Sequence, residues 1–303
     1  MLRPSTPGGH PLIAVAWLAG AGLVLAAVPL YALRTSAASP AAAGGGLLFV
    51  VGLLAYAVRH VRFVRSLDRA EAARAGGDLG AAREALAPLL DRFPGLPAVA
   101  RSSGRLLYEA GDPLSAATLL ERAAPAYRRD SALVVTLVAS YAALNKAGDA
   151  RRAAGMLPDD PDVRLALAWS ELVALGGDRA RGVGLTEHLP DDTPARAAMA
   201  AVLRGIAAAQ RGDTGGVRAE LRAAEERYGL LSDAERAFLG YLGGVALREA
   251  GAVADARETW SVAMAAAPGT IGEALARRER SHLPSAGAPD QSAGSSPVQS
   301  PSD

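Results

Sequence analysis

The feature that most constrains this chain is a dipeptide that keeps returning. Gly77-Asp78, Gly111-Asp112, Gly148-Asp149, Gly177-Asp178 and Gly212-Asp213 follow one another at spacings of 34, 37, 29 and 35 residues. Gly251 comes 39 residues later, with Ala252 in place of the aspartate. Between them lie stretches rich in Ala, Leu and Arg. A glycine ends a helix because it accepts the left-handed conformation at the C-terminal cap, and an aspartate just after it caps the next helix. The recurrence therefore predicts an all-α chain of paired helices from residue 62 to about residue 278. One pair cannot bury its apolar stripe alone, but stacked pairs share a continuous core. Two further helix starts are legible. Ser232 with Glu235 forms a capping box, and Thr193 stands before Pro194 as an N-cap followed by proline at the first helical position.

The chain is 50% apolar with 21% charged residues and a mean hydropathy of +0.15, and the excess sits near the amino terminus. Residues 11–33 form a run of 23 without a charge. As a helix this is about 35 Å long, enough for a hydrocarbon core of about 30 Å. A second uncharged stretch covers residues 41–58, which is 18 residues and the lower edge of spanning length. Together they read as an N-terminal transmembrane helical hairpin. Two other readings stay open. The first run could be a cleaved signal peptide, although its apolar core is long for one. The second could be a buried or interfacial helix, although Gly44, Gly45 and Gly46 weaken it. Arg59, Arg62, Arg65, Arg69 and Arg74 follow the second run, whereas only Arg34 lies between the two and only Arg3 precedes them. The positive-inside rule then places the repeats in the cytoplasm, in an inner-membrane protein. The expected organisation is a tail over 1–10, two membrane helices over 11–58, repeats over 59–278 and a disordered Pro- and Ser-rich tail over 279–303.

Composition narrows the function. A net charge of +1, from 32 basic and 31 acidic residues, excludes a strongly basic nucleic-acid binder. The absence of cysteine excludes disulfides, thiolate metal sites and thiol catalysis. His10, His60, His188 and His282 are too scattered for a metal cage. Arginine supplies every basic residue except Lys146. No nucleophile elbow, phosphate loop, zinc-protease motif or dinucleotide fingerprint is present. Asp159, Asp160, Asp191 and Asp192 lie beside Pro161 and Pro190 and read as loop and capping residues. Trp169 and Trp260 fall on apolar helical stripes and read as core. The expectation is a protein without metal or cofactor and without catalysis.

The pattern resembles the tetratricopeptide repeat, a helix–turn–helix unit of 34 residues. Gly244, Gly251, Ala256, Trp260, Ala263 and Pro268 match the family's positions in register. Gly77, Asp78, Ala82, Leu86 and Pro94 match in the first unit, with Leu89 where Ala is usual. Gly104, Gly111, Asp112, Ala116, Leu120 and Ala123 match in the second, and Gly205, Gly212, Asp213, Leu221 and Ala224 in the fifth. The third, with Gly148, Asp149, Ala153 and Leu157, stops early at Pro158. The fourth is degenerate, with Gly182 where an alanine belongs. The resemblance implies a TPR-like α-solenoid whose first helices line a concave groove for a protein or peptide. By position the groove residues would be Arg101, Arg105 and Tyr108, then Asn145, Lys146 and Arg164, then Tyr241 and Arg248. Arginine forks there suit a carboxylate. The family's Lys/Asn carboxylate clamp is not reproduced, so chaperone-tail binding is not implied. The layout is similar to bacterial membrane-anchored members that organise envelope biogenesis. It implies a tethered, non-catalytic scaffold that touches lipid through residues 11–58. An extracytoplasmic array in envelope assembly or secretion, or a self-assembling accessory subunit of a membrane enzyme complex, stays open.

Overall fold

A computed structural model describes residues 40–283, with side chains from residue 51 onward. Among the described residues all regular structure is helical: thirteen α-helices and one short 3-10 turn, Tyr228–Leu230. The first helix, α1, runs unbroken from Pro40 to Ala75, and α2 follows over Leu79–Arg92. Next come α3 (Pro97–Glu109) with α4 (Pro113–Ala123), and α5 (Ser131–Ala143) with α6 (Ala147–Ala154). The pair α7 (Pro161–Val173) and α8 (Arg179–Thr186) is followed by α9 (Pro194–Gln210) and α10 (Thr214–Glu225). The last pair is α11 (Asp233–Glu249) and α12 (Val253–Ala266), and a single helix, α13 (Ile271–Ser281), closes the chain.

The chain divides into two units between Ser66 and Leu67. The described part of the first is a stretch of α1 with apolar side chains in solvent: Val51 is 56% exposed, Leu54 65% and Tyr56 66%. The Tyr56 and His60 rings stack at 6.1 Å. Among the described residues no helix is long and apolar enough to cross a membrane. The expected span over 11–33 lies outside the described residues. The expected span over 41–58 falls within α1, which continues past the boundary drawn at residue 59 and supplies the first helix of the array. At the other end α13 runs three residues beyond the expected limit at 278, and 284–303 lie outside the described residues.

The recurrent turn has one geometry. Gly77 takes φ +82°, its N–H donates to the Arg74 carbonyl, and the Asp78 N–H donates to the Ala73 carbonyl, both at 3.0 Å. This is a Schellman closure, in which the left-handed residue lets two orphan carbonyls find donors. The same two bonds recur at Gly111, Gly212 and Gly251. Asp78, Asp112 and Asp213 then cap the next helix through their carboxylates. In the third unit the left-handed residue is Asn145, at φ 59°, not Gly148. Gly148 and Asp149 lie inside α6, so the register expected there slips by three residues. With Asn145 restored, the first three turns stand 34 residues apart. In the fourth unit Gly176, not Gly177, takes positive φ, although Asp178 does cap α8.

Burial follows the repeat positions. Ala82, Ala116, Leu120, Ala123, Ala256 and Trp260 are 0% exposed. Gly104 and Gly244 are needed as close contacts. A Cβ on Gly104 would stand 2.7 Å from Leu120 Cγ, and one on Gly244 would run into the Trp260 indole, 2.5 Å from Cδ1. Gly205 is not such a contact, because a Cβ there would meet its nearest neighbour at an ordinary 3.7 Å. The capping box of Ser232 and Glu235 and the Thr193 cap are both formed.

Candidate functional site

The expected groove residues fall into three groups. Tyr241 does not line a groove: it is 1% exposed within the core, and burial pushes its phenol up to about 12. Its carbonyl accepts the Trp260 indole N–H at 2.9 Å. Tyr108 is likewise packed against the core cluster that holds Tyr241, and burial pushes its phenol well above the usual tyrosine range. Repeat position puts both on the inner face, but there the two side chains pack into the core cluster.

The second group consists of arginines already held by acids of the same chain. Arg101 Nε lies 2.7 Å from Asp130 Oδ2, and its guanidinium sits 5.4 Å over the Tyr127 ring. The other oxygen of Asp130 caps α5 through the Leu133 N–H, so one carboxylate ends a helix and fixes an arginine. Arg105 stands 3.7 Å from Glu71, which also accepts from Ser102 Oγ at 2.7 Å and Arg74 Nε at 3.0 Å. Burial raises the Glu71 carboxyl, but the Ser102 hydrogen bond and the charges of Arg105 and Arg74 prevail and hold it below its ordinary value. Arg74 reaches on to Glu109 at 2.5 Å. For Arg105, burial and then the nearby Arg74 charge lower the pKa. Arg248 pairs with Glu279 of α13 and with Glu249 at 2.9 Å.

The third group stands apart. Asn145 is the left-handed turn residue, and its Oδ1 accepts the Leu175 N–H at 3.3 Å. Lys146 is exposed at the N-cap position of α6. Arg164 is half-buried, with Nη2 donating to the Asp159 carbonyl at 3.2 Å.

The structure brings to the inner edge an element that repeat positions alone did not identify. Helix α13 reaches back to the second and third units. Arg278 Nη1 donates to the Ala143 carbonyl at 2.6 Å, across 135 residues of sequence. The Cβ of Ala274 lies 3.1 Å from the Cβ position of Gly111, whose lack of a side chain admits it. Sequence reasoning missed Arg278 and Glu279 because they stand at the edge of a segment read as tail. The signal available was the four-residue spacing of Ala274 and Arg278, which sets them on one helical face.

Elsewhere acids serve the framework. Asp160 caps α7 through the Asp162 and Val163 N–H groups. Arg196 grips Asp162 at 2.8 and 3.0 Å and Asp192 at 2.9 and 2.8 Å, tying α9 to the start of α7. Glu171, fully buried on α7, takes Arg151 in a fork and the Asp178 N–H at 2.8 Å. Among the described residues no three His, Asp or Glu side chains converge where they could hold a metal ion. An open cleft of about 530 Å³ is lined by Glu121, Ala124, Pro125, Arg128, Gly155 and Met156, and the Glu121 carboxylate there is engaged by the Tyr141 hydroxyl. What these groups do chemically is neutralise one another and fix helices. No protein-family model matches the chain, and no curated protein matches it.

Proposed function

We propose that this chain is a membrane-tethered, non-catalytic scaffold that holds a protein or peptide partner on a tetratricopeptide-like array. The tether is the apolar hairpin over 11–58, and the array faces the cytoplasm because Arg59, Arg62, Arg65 and Arg69 follow the second apolar run. The observation that carries the reading is the apolar surface of α1: Val51, Leu54, Tyr56 and Val58 are all 47% or more exposed, at the end of an uncharged run. Exposed apolar surface of this kind marks a membrane or partner contact. The tetratricopeptide reading is supported by the common Schellman turn and its 34-residue spacing over Gly77, Gly111 and Asn145. The partner surface excludes Tyr108 and Tyr241, which are packed in the core. Lys146, Arg164 and the paired arginines Arg101, Arg105 and Arg248 remain on its edge.

Fractionation tests the tether. Full-length protein is expected in the membrane pellet after high salt and alkaline carbonate, and residues 67–303 alone in the soluble fraction with strong helical signal. Full-length protein in the soluble fraction overturns the tether. A reporter fused at the carboxyl terminus is expected to read cytoplasmic; a reading on the opposite face overturns the orientation. Purification of the full chain in mild detergent, followed by mass spectrometry, identifies the partner.

A further inference from the structure

Helix α13 makes two contacts of different chemistry. Towards its own pair it is apolar and close. Ile271, Leu275 and Ala276 are 8%, 3% and 0% exposed, and Gly272 lies so near α11 that a Cβ there would stand 2.6 Å from the Phe238 nitrogen. That side holds as a core holds. Towards the second and third units its contact is narrower: Ala274 and the carbonyl of its N-cap residue Thr270 against Gly111, and Arg278 on the Ala143 carbonyl. The Ser140, Tyr141 and Ala142 carbonyls at the end of α5 are taken by the N–H groups of Leu144, Lys146 and Asn145. Arg278 supplies the donor for Ala143, the last carbonyl of that helix, at the negative end of its dipole.

We infer that α13 is a clasp: it stays fixed to the last pair and closes the array on the carboxyl-terminal ends of α3 and α5, and its far contact opens without unfolding the last pair. The difference between a buried apolar face and a narrow contact held by one charge-assisted hydrogen bond sets which side gives way. Opening uncovers the Gly111 turn and the Ala143 carbonyl, which α13 and its N-cap otherwise cover.

The chain is free of cysteine, so one introduced thiol reports opening without background. Ala274→Cys in the full-length protein, in mild detergent, is labelled by a maleimide with and without Arg278→Ala. The expected result is a labelling rate about tenfold higher with Arg278→Ala, at an unchanged unfolding midpoint, as local opening requires. Arg278→Lys, which keeps a donor, is expected to bring the rate back towards that of Ala274→Cys alone. A rate unmoved by Arg278→Ala, or one that rises only together with a lower midpoint, overturns the clasp. Should Ala274→Cys itself disturb folding, hydrogen exchange at Gly111–Asp112 and Asn145–Lys146 in the Arg278→Ala protein gives the same decision.

Discussion

Arg151 of α6 closes on Glu171 of α7 with Nε and Nη2 at 2.5 and 2.6 Å, and the carboxylate it meets is 0% exposed. Glu171 also accepts the Asp178 N–H, so a single buried charge takes the place that the Schellman bond fills at other turns. The third and fourth units are thus joined by a buried polar bolt in addition to the apolar packing of Ala150, Ala153 and Ala154 with Val163 and Ala166.

Arg151→Ala is expected to destabilise the array by about 2–3 kcal/mol. Stranding a wholly buried charge costs about 3–5 kcal/mol, and Arg151 is 33% exposed, so water replaces part of what it gave. Glu171→Gln, which removes the charge and keeps the shape, is expected to cost less. Urea unfolding of residues 67–303 measures both, and equal stability of all three proteins would remove the bolt.

Acid stability carries the same signature. Burial raises the Glu171 carboxyl, but the Arg151 hydrogen bonds and the Asp178 N–H outweigh it and hold it below its ordinary value. A depressed carboxylate contributes stability that is present above its unfolded value and lost as pH falls through the folded one. Glu71 is depressed in the same direction. Thermal midpoints are expected to fall between about pH 5 and pH 3, and Glu171→Gln to flatten that slope.

Trp260→Ala is expected to cost about 3–5 kcal/mol, since the indole is fully buried and the Tyr241 carbonyl loses its donor. Gly244→Ala should cost at least as much as typical overpacking, about 1–3 kcal/mol, because its methyl would run into that indole. Calorimetry on both variants checks the register of the last pair.

Asn145 separates two demands of the third turn. Asn145→Gly keeps the left-handed backbone and loses the bond to the Leu175 N–H, and is expected to stay within about 1 kcal/mol of the parent. Asn145→Ala loses both and is expected to cost about 1–2 kcal/mol more. Denaturant midpoints distinguish them, and equal midpoints would mean that the φ of 59° is not strained for alanine.

Arg101→Ala with Arg105→Ala is expected to lower stability by about 1–2 kcal/mol, by leaving Asp130 and Glu71 short of partners. Unfolding curves without any ligand decide this. An unchanged midpoint would show that the pairing contributes nothing to the fold, and would return both guanidinium groups to a partner.

Much of the array was legible because glycine and alanine carry little ambiguity. Only a residue without a Cβ fits against Trp260 at position 244, and only small residues fill the 0% exposed positions at 82, 116 and 256. The third turn misled because asparagine also tolerates positive φ, while a Gly-Asp stood three residues away in a helix that did not need it. The groove misled for a different reason. Repeat position tells which way a side chain leaves its helix, but not that Asp130, Glu71 and Glu279 wait there, nor that α13 returns to the second unit. Those are pairings over tens of residues, and no local pattern encodes them.

Lys146 has a consequence of its own. It is the only lysine in the chain, and it stands exposed beside the Asn145 turn. Apart from the terminal amine, an amine-directed reagent therefore has one address, in the third helical pair. A fluorophore, a cross-linker or a conjugating enzyme that acts on lysine would meet the array at that turn. The neighbours captured from it would report what lies alongside that edge, with no engineering of the protein at all.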